Sequence, residues 1–506
     1  MKVIQTGKWA GNMKKGLLPV LLAVVVATTA AGCGGRKSSE SKAAEYAAKT
    51  ESVAPMTEQP KAEAKMAEPA NSVKREESKP APGIGQNPGR SVLPNGQRYE
   101  DAFFKDYGVN PFVQAEEEPL STFSADVDTA SYSIARNYLK NGSLPPAEAV
   151  RVEEFINYFK QDYPAPRDEA FAIYTEAAPS KFGEGYHLVQ IGLQGKKLDV
   201  EERKDASLTF VIDVSGSMDR ENRLELVKKS LRILIDQMGS KDKIGIAVYG
   251  TNGRKLLDHT NAVNKKQIME AINELRPEGS TNAAEGLQIG YEMASRAFVR
   301  GGINRVILCT DGVANQGITR AEDILKTIED YKEQGIYLTA LGFGMENYND
   351  VLLEKLADKG NGQYGYIDDI DEAKKIFLEQ LTGTLQVIAK DVKAQVEFNP
   401  EKVERYRLLG YENRALSNEE FRDNRVDAGE VGSGHTVIAL YEVKLKNNAL
   451  KDLGTVRIRY KNPETDRVSE MTKRLSAWDV GKSFEDASTR FRFTACVAEF
   501  AEVLRG

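Results

Sequence analysis

With 506 residues, 41% of them hydrophobic and 28% charged, the chain has room for roughly two to four globular domains. Its net charge of −6 provides no dominant basic field to displace phosphate counterions, which argues against a general nucleic-acid binder. The three cysteines (Cys33, Cys309, Cys496) form no CxxC or Cys/His cluster, which excludes the usual zinc spacings, and the absence of GxxxxGK[ST] excludes a P-loop ATPase.

Residues 1–33 read as a targeting segment. Met13-Lys-Lys-Gly is followed by the apolar run Leu17-Leu-Pro-Val-Leu-Leu-Ala-Val-Val-Val-Ala and by small residues ending in Gly32-Cys33. The pattern resembles a bacterial lipoprotein signal, with Ala30 at the position where Leu is usual. That resemblance implies that Cys33 is lipidated and becomes the mature N-terminus. The apolar run is short for a spanning helix, so acyl chains rather than a helix would hold the protein to the membrane. Gly34 stands where Asp retains some lipoproteins at the inner membrane, so the expected location is the cell envelope, lipid-anchored, at the outer membrane. Residues 34–98 are rich in Ala, Glu, Lys, Pro and Ser and poor in aromatics, a composition that cannot offset chain entropy by burial; a disordered tether is expected.

Residues 99–200 form an N-terminal flanking region. Asp128 is expected to cap a helix beginning near Ile134, and Leu144-Pro-Pro146 to open a second over 150–159. Asp126-x-Asp128 has the spacing of a phosphotransfer nucleophile motif, but no buried strand precedes it and Ala130 occupies the Thr position, so capping is preferred. The stretches 170–176 and 186–193 alternate as antiparallel strands do.

Over 207–388 strands and helices alternate, which predicts a doubly wound, mostly parallel α/β sheet with helices on both faces. Strands are placed at 208–213, 243–249, 255–259, 305–310, 336–343 and 363–366, and helices at 223–238, 282–298, 320–334, 350–358 and 371–385. Thr251-Asn-Gly253 joins the second and third strands, so one antiparallel edge strand is expected. Residues 389–506 switch to period two, in strands near 392–398, 435–445 and 454–460, before an amphipathic helix over 488–504. These strands are expected to join those before residue 207 in one β-sandwich, into which the α/β domain is inserted.

Three stretches converge on the carboxyl edge of the predicted sheet, where open α/β folds bind ligands. Leu208-Thr-Phe-Val-Ile-Asp213-Val-Ser215-Gly-Ser217 ends a buried strand on an Asp and two hydroxyls. Gly279-Ser-Thr281-Asn precedes a helix, and Arg305-Val-Ile-Leu-Cys-Thr-Asp311-Gly ends a second strand. Asp213, Ser215, Ser217, Thr281 and Asp311 make an all-oxygen donor set suited to a hard cation such as Mg²⁺ or Mn²⁺. Catalysis is not expected: none of His187, His259 and His435 is placed near these loops, and Ser215 stands where a phosphotransferase would carry its second acid.

Asp213-Val-Ser-Gly-Ser217, Gly279-Ser-Thr281-Asn and Thr310-Asp311-Gly resemble the metal-ion-dependent adhesion site of a von Willebrand factor type A domain. The flanks Leu120–Ser133, Gly410-Tyr-Glu-Asn-Arg and Asp427-Ala-Gly-Glu-Val-Gly-Ser-Gly-His resemble the YfbK-like group of bacterial lipoproteins carrying that domain. The resemblance implies Mg²⁺ contacts from Ser215, Ser217 and Thr281 hydroxyls and from Asp213 and Asp311 carboxylates. It also implies a protein partner whose acidic side chain completes the metal, and a last helix, here 371–385, that shifts on ligand binding. An envelope scaffold or assembly factor without an external ligand is the competing reading, separated from adhesion by which side of the envelope displays the domain.

Overall fold

The computed structural model describes residues 102–506, apart from 126–127, 200–201, 221, 313–320, 346–347, 381–385, 447–451, 476–480 and 482. The expected signal, the tether, Cys33 and Asp126 lie outside the described residues.

Strands β1 (Val113–Gln114) and β2 (Leu120–Ser124) lead into helices α1 (Ala130–Lys140) and α2 (Val152–Tyr158), then the hairpin β3 (Phe171–Pro179) and β4 (Tyr186–Gly195). The α/β part follows as β5 (Ala206–Asp213), α3 (Leu224–Ile235), β6 (Lys243–Tyr249), β7 (Gly253–Asn261), α4 (Lys265–Glu274) and α5 (Ala283–Arg296). It continues as β8 (Ile303–Thr310), α6 (Ala321–Glu333), β9 (Tyr337–Phe343), α7 (Asp350–Lys359), β10 (Tyr364–Ile367) and α8 (Ile370–Lys374). Last come β11 (Val387–Phe398), β12 (Val403–Leu409), β13 (Ala415–Leu416), β14 (Gly429–Gly432), β15 (Thr436–Leu445), β16 (Gly454–Lys461), β17 (Val468–Leu475) and α9 (Thr489–Arg505).

The α/β sheet has the order β10-β9-β8-β5-β6-β7, parallel throughout except for β7, which runs antiparallel to β6 at the edge. Strand β5 is buried along its whole length, because its alternate residues face two helical layers. Phe210 and Ile212 pack with Leu224, Leu231, Ile268 and Phe377. Val211 faces the other way, toward Leu287, Tyr291 and Val306. The order reverses at β5, whose neighbours are β6 and β8, so a crevice opens beyond its carboxyl end.

The remaining strands form two sheets, β1-β12-β15-β4-β3 and β13-β2-β11-β16-β17, with β14 added to β11. Strands from before the α/β part pair with strands from after it, β4 with β15 and β2 with β11. Val189, Ile191 and Tyr441 of one sheet share a core with Phe123, Val396 and Ile458 of the other. The α/β domain is therefore an insertion in a β-sandwich, as expected from the switch in period. Helices α2 and α9 cover the outer face of the first sheet, with Phe155, Phe491 and Ala498 against Leu188 and Leu440.

Three local expectations need correction. Asp128 does not cap α1; Thr129 holds that position without a side-chain bond. Asp128 instead accepts from the Tyr364 N–H at 2.8 Å and from Arg414 at 3.1 Å, tying the flank to the inserted domain. The helix expected over 371–385 is α-helical only to Lys374 and continues as a π-helix over Lys375–Gln380. Helix α4 was not expected at all; it buries Ile268, Ala271 and Ile272 in the core, with Met269 packed against it.

Candidate functional site

The register of β5 against β8 pairs Ile212 with Cys309, so Asp213 and Thr310 are the next residues on neighbouring strands. The Thr310 hydroxyl donates to Asp213 Oδ2 at 2.9 Å, and the Ser215 N–H donates to Asp213 Oδ1 at 2.8 Å. The loop then closes into a short 3₁₀ turn, Gly216–Met218, whose Met218 N–H bonds back to Ser215 O at 2.9 Å. That turn brings Ser215 Oγ to 2.9 Å from Ser217 Oγ, and Ser217 Oγ donates to Asp311 Oδ1 at 3.1 Å. Four of the five expected residues thus lie in one hydrogen-bonded network at the sheet's carboxyl edge.

Thr281 is held to the same place through its backbone neighbours. Gly216 N–H donates to Gly279 O at 3.0 Å, Glu278 N–H to Val214 O at 2.5 Å, and Asn282 N–H to Gly250 O at 2.9 Å. Gly279 sits at φ +69°, and a Cβ there would fall 1.9 Å from the Thr251 hydroxyl, so the turn demands glycine. Asn282 caps α5 by accepting from Glu285 N–H. Among the described residues, the Thr281 hydroxyl bonds to none of the other four.

Burial grades from floor to mouth. Asp213 is fully buried, Ser215 and Asp311 nearly so, while Ser217 and Thr281 are half-buried and Gly216 is exposed. Burial, reinforced by the facing Asp311, pushes the Asp213 carboxyl up to about 7 against the hydrogen bonds from Ser215 and Thr310. Burial also raises Asp311, opposed by Arg223. Two carboxylates and several hydroxyls, short of positive charge and open on one side, fit a hard divalent cation.

Two members of the network were not among the five expected ligands. Thr310 lies directly before Asp311, and the strand register places it beside Asp213. Arg223 reaches in from the start of α3, and its Nη1 donates to Asp311 Oδ2 at 2.5 Å and to Ser217 O at 2.7 Å. Its clue in the sequence was faint: a cation at a helix N-terminus opposes the helix dipole and calls for a nearby anion.

The histidines stand elsewhere. His259 bonds Thr209 at 3.0 Å, with its ring against Gly245, and burial lowers it to about 4. His435 lies 3.4 Å from Gln363, likewise lowered to about 4 by burial, with Arg305 adding to the shift. Cys309 is fully buried in β8 and unpaired. A second carboxylate group, Asp391, Asp427 and Glu430, brings oxygens within 4.8 Å of one another near the β11 bulge. Lys461 pairs with Asp391 there, and Lys332 with Asp427.

Comparison with known proteins matches three family descriptions along the chain. These are "von Willebrand factor" over 98–190, "von Willebrand factor type A domain" over 207–379 and "Uncharacterized protein YfbK, C-terminal" over 383–506. The YfbK protein of Escherichia coli (strain K12) is 37% identical over 432 residues, covering 80% of this chain and 74% of that one. Inter-alpha-trypsin inhibitor heavy chain H3 of Rattus norvegicus is 28% identical over 199 residues, 38% of this chain and 22% of that protein. Among solved structures, a von Willebrand factor type A protein from Catenulispora acidiphila aligns with TM-score 0.39 at 17% identity, covering 65% of this chain and 77% of that one.

Proposed function

The chain belongs to the YfbK family and carries a von Willebrand factor type A domain, and from that premise we propose that it is a membrane-anchored, divalent-metal-dependent protein-binding module. Domains of this type often bind a divalent metal and proteins. In this reading Asp213, Ser215, Ser217, Thr281 and Asp311 hold Mg²⁺ or Mn²⁺, which when bound supplies an electropositive point for an acidic side chain of a partner. The observation that carries the reading is the hydrogen-bonded network from Asp213 through Ser215 and Ser217 to Asp311, buried at its floor and open at Ser217.

The chain's own residues favour binding over turnover. Ser215 and Ser217 have each other and a carboxylate as partners, with no imidazole to take a proton, so neither is activated as a nucleophile. The neutral hydroxyls orient without adding charge. Calorimetric titration of the full chain should show Mg²⁺ binding that Asp213→Ala abolishes. A partner pull-down should succeed in Mg²⁺ and fail in excess chelator; equal recovery in both would sink the adhesion reading.

The envelope location belongs to the same proposal. Lipid attached at Cys33 would carry the module at the outer membrane on the 34–98 segment, and Cys33→Ser should move the protein from the membrane fraction to the soluble one. Recovery of that variant in the membrane fraction would remove the lipid anchor from the reading.

A further inference from the structure

Arg223 is the unusual member of the network. It occupies the N-cap position of α3, its side chain is 3% exposed, and it pairs with an Asp311 side chain that is 4% exposed. The slot that receives it is built for it. Gly344, just past β9, sits at φ +78°, and a Cβ there would fall 2.4 Å from Arg223 Nε and 3.0 Å from both Cδ and Cζ. The guanidinium stem therefore lies flat over a residue without a side chain. Its Nη1 bridges Asp311 Oδ2 and Ser217 O, so one group fixes both the carboxylate and the backbone of the hydroxyl-bearing turn.

Asp311 is consequently divided between two donors. Oδ2 accepts from the guanidinium, and Oδ1 accepts from the Ser217 hydroxyl at the mouth. Among the described residues Asp213 has no such cation; its two oxygens accept from a backbone N–H and from a Thr hydroxyl. A guanidinium stays protonated at any pH the protein meets, so this compensation is permanent.

We propose that Arg223 is a built-in counter-cation of the candidate metal centre, a positioning residue that holds Asp311 by one oxygen and offsets part of the negative charge of the site. This rests on the metal reading and adds to it. Counted over Asp213, Asp311 and Arg223, with both carboxylates ionised, the charge is a single negative one, so a divalent ion there retains positive charge for an anionic ligand. Without Arg223 the two carboxylates would neutralise the ion, and the metal would be held more tightly while attracting an acidic group less. Affinity for the metal is thus exchanged for affinity of the loaded site toward anions.

The test is titration of the full chain with Mg²⁺ alone and with La³⁺ alone, for the wild type, Arg223→Gln and Arg223→Lys. Repulsion from a fixed charge scales with the charge of the incoming ion. Arg223→Gln should bind Mg²⁺ about tenfold more tightly or better. It should tighten La³⁺ by a clearly larger factor, while Arg223→Lys stays close to wild type for both ions. A merely structural Arg223 would shift both ions by the same factor, and that outcome overturns the proposal. So does an unchanged or weakened Mg²⁺ affinity in an Arg223→Gln protein that still melts cooperatively. If that variant does not melt cooperatively, Arg223→Met, which fills the slot over Gly344 without charge, carries the same comparison. A wild-type chain that binds neither ion would overturn the metal reading itself, an outcome distinct from wild-type binding that ignores the Arg223 substitution.

Discussion

Two groups of buried carboxylates in this molecule are treated differently. Where the inserted domain meets its flanks, each one contacts an arginine directly. Arg136 serves Asp368 and Glu372, Arg151 serves Glu154 and Asp350, and Arg414 serves Asp128 and Glu354. At the carboxyl edge of the α/β sheet, Arg223 serves Asp311, and among the described residues Asp213 has dipolar donors alone. Removing a charge from water costs several kcal/mol unless a partner offsets it. The junction answers that cost inside the chain and is closed. The sheet edge leaves it open, which is the condition for an external cation.

Removing a junction arginine should therefore do the most damage. Arg151 donates to Asp350 Oδ2 at 2.6 Å and also holds Glu154, all of them buried. Arg151→Ala strands two carboxylates and should cost about 3–5 kcal/mol in denaturant unfolding of the full chain. A loss near zero would remove the distinction between the two regions. Substitution at the open site should behave in the opposite way. Asp213→Asn discharges a group that has no cation, so without metal it should cost no more than about 1 kcal/mol. It should also erase the rise in melting temperature that Mg²⁺ gives the wild type. A large loss of metal-free stability in Asp213→Asn would mean that the edge is as self-sufficient as the junction.

The open region was far more legible in the sequence than the closed one. Strands β5 and β8 read as continuous apolar runs because both their faces are covered, and each stops on an Asp where the sheet meets solvent. Site residues placed at strand ends need only the topology to bring them together, and the alternation of strands and helices supplied it. The junction depends instead on long side chains meeting across hundreds of residues, as Asp128 and Arg414 do. Nothing local distinguishes such an Asp from a helix cap, and the capping expectation for Asp128 was wrong for that reason. Arg223 escaped notice likewise, because its reach to Asp311 is set by the slot over Gly344 rather than by spacing. Helix α4 was missed because it is short, ten residues, although Ile268, Ala271 and Ile272 recur at helical spacing.

Glu153 refines the comparison, because it sits in the flank beside the junction and still has no arginine among its dominant neighbours. It is 1% exposed on α2, and burial, with Glu412 and Glu154 adding repulsion, pushes its carboxyl from the usual 4.5 up to about 8. A carboxyl whose folded value is raised binds its proton more readily in the native state. Its contribution to stability is therefore complete below pH 4.5 and is lost as pH rises through about 8. Glu153→Gln keeps the size and removes the titration. The variant should match the wild type's pH dependence below 4.5, gain on it steadily up to about 8, and gain nothing further above that. Melting temperatures of the two proteins across that range supply the check. Parallel curves would mean that Glu153 is ionised in the native state, compensated after all like its neighbours at the junction.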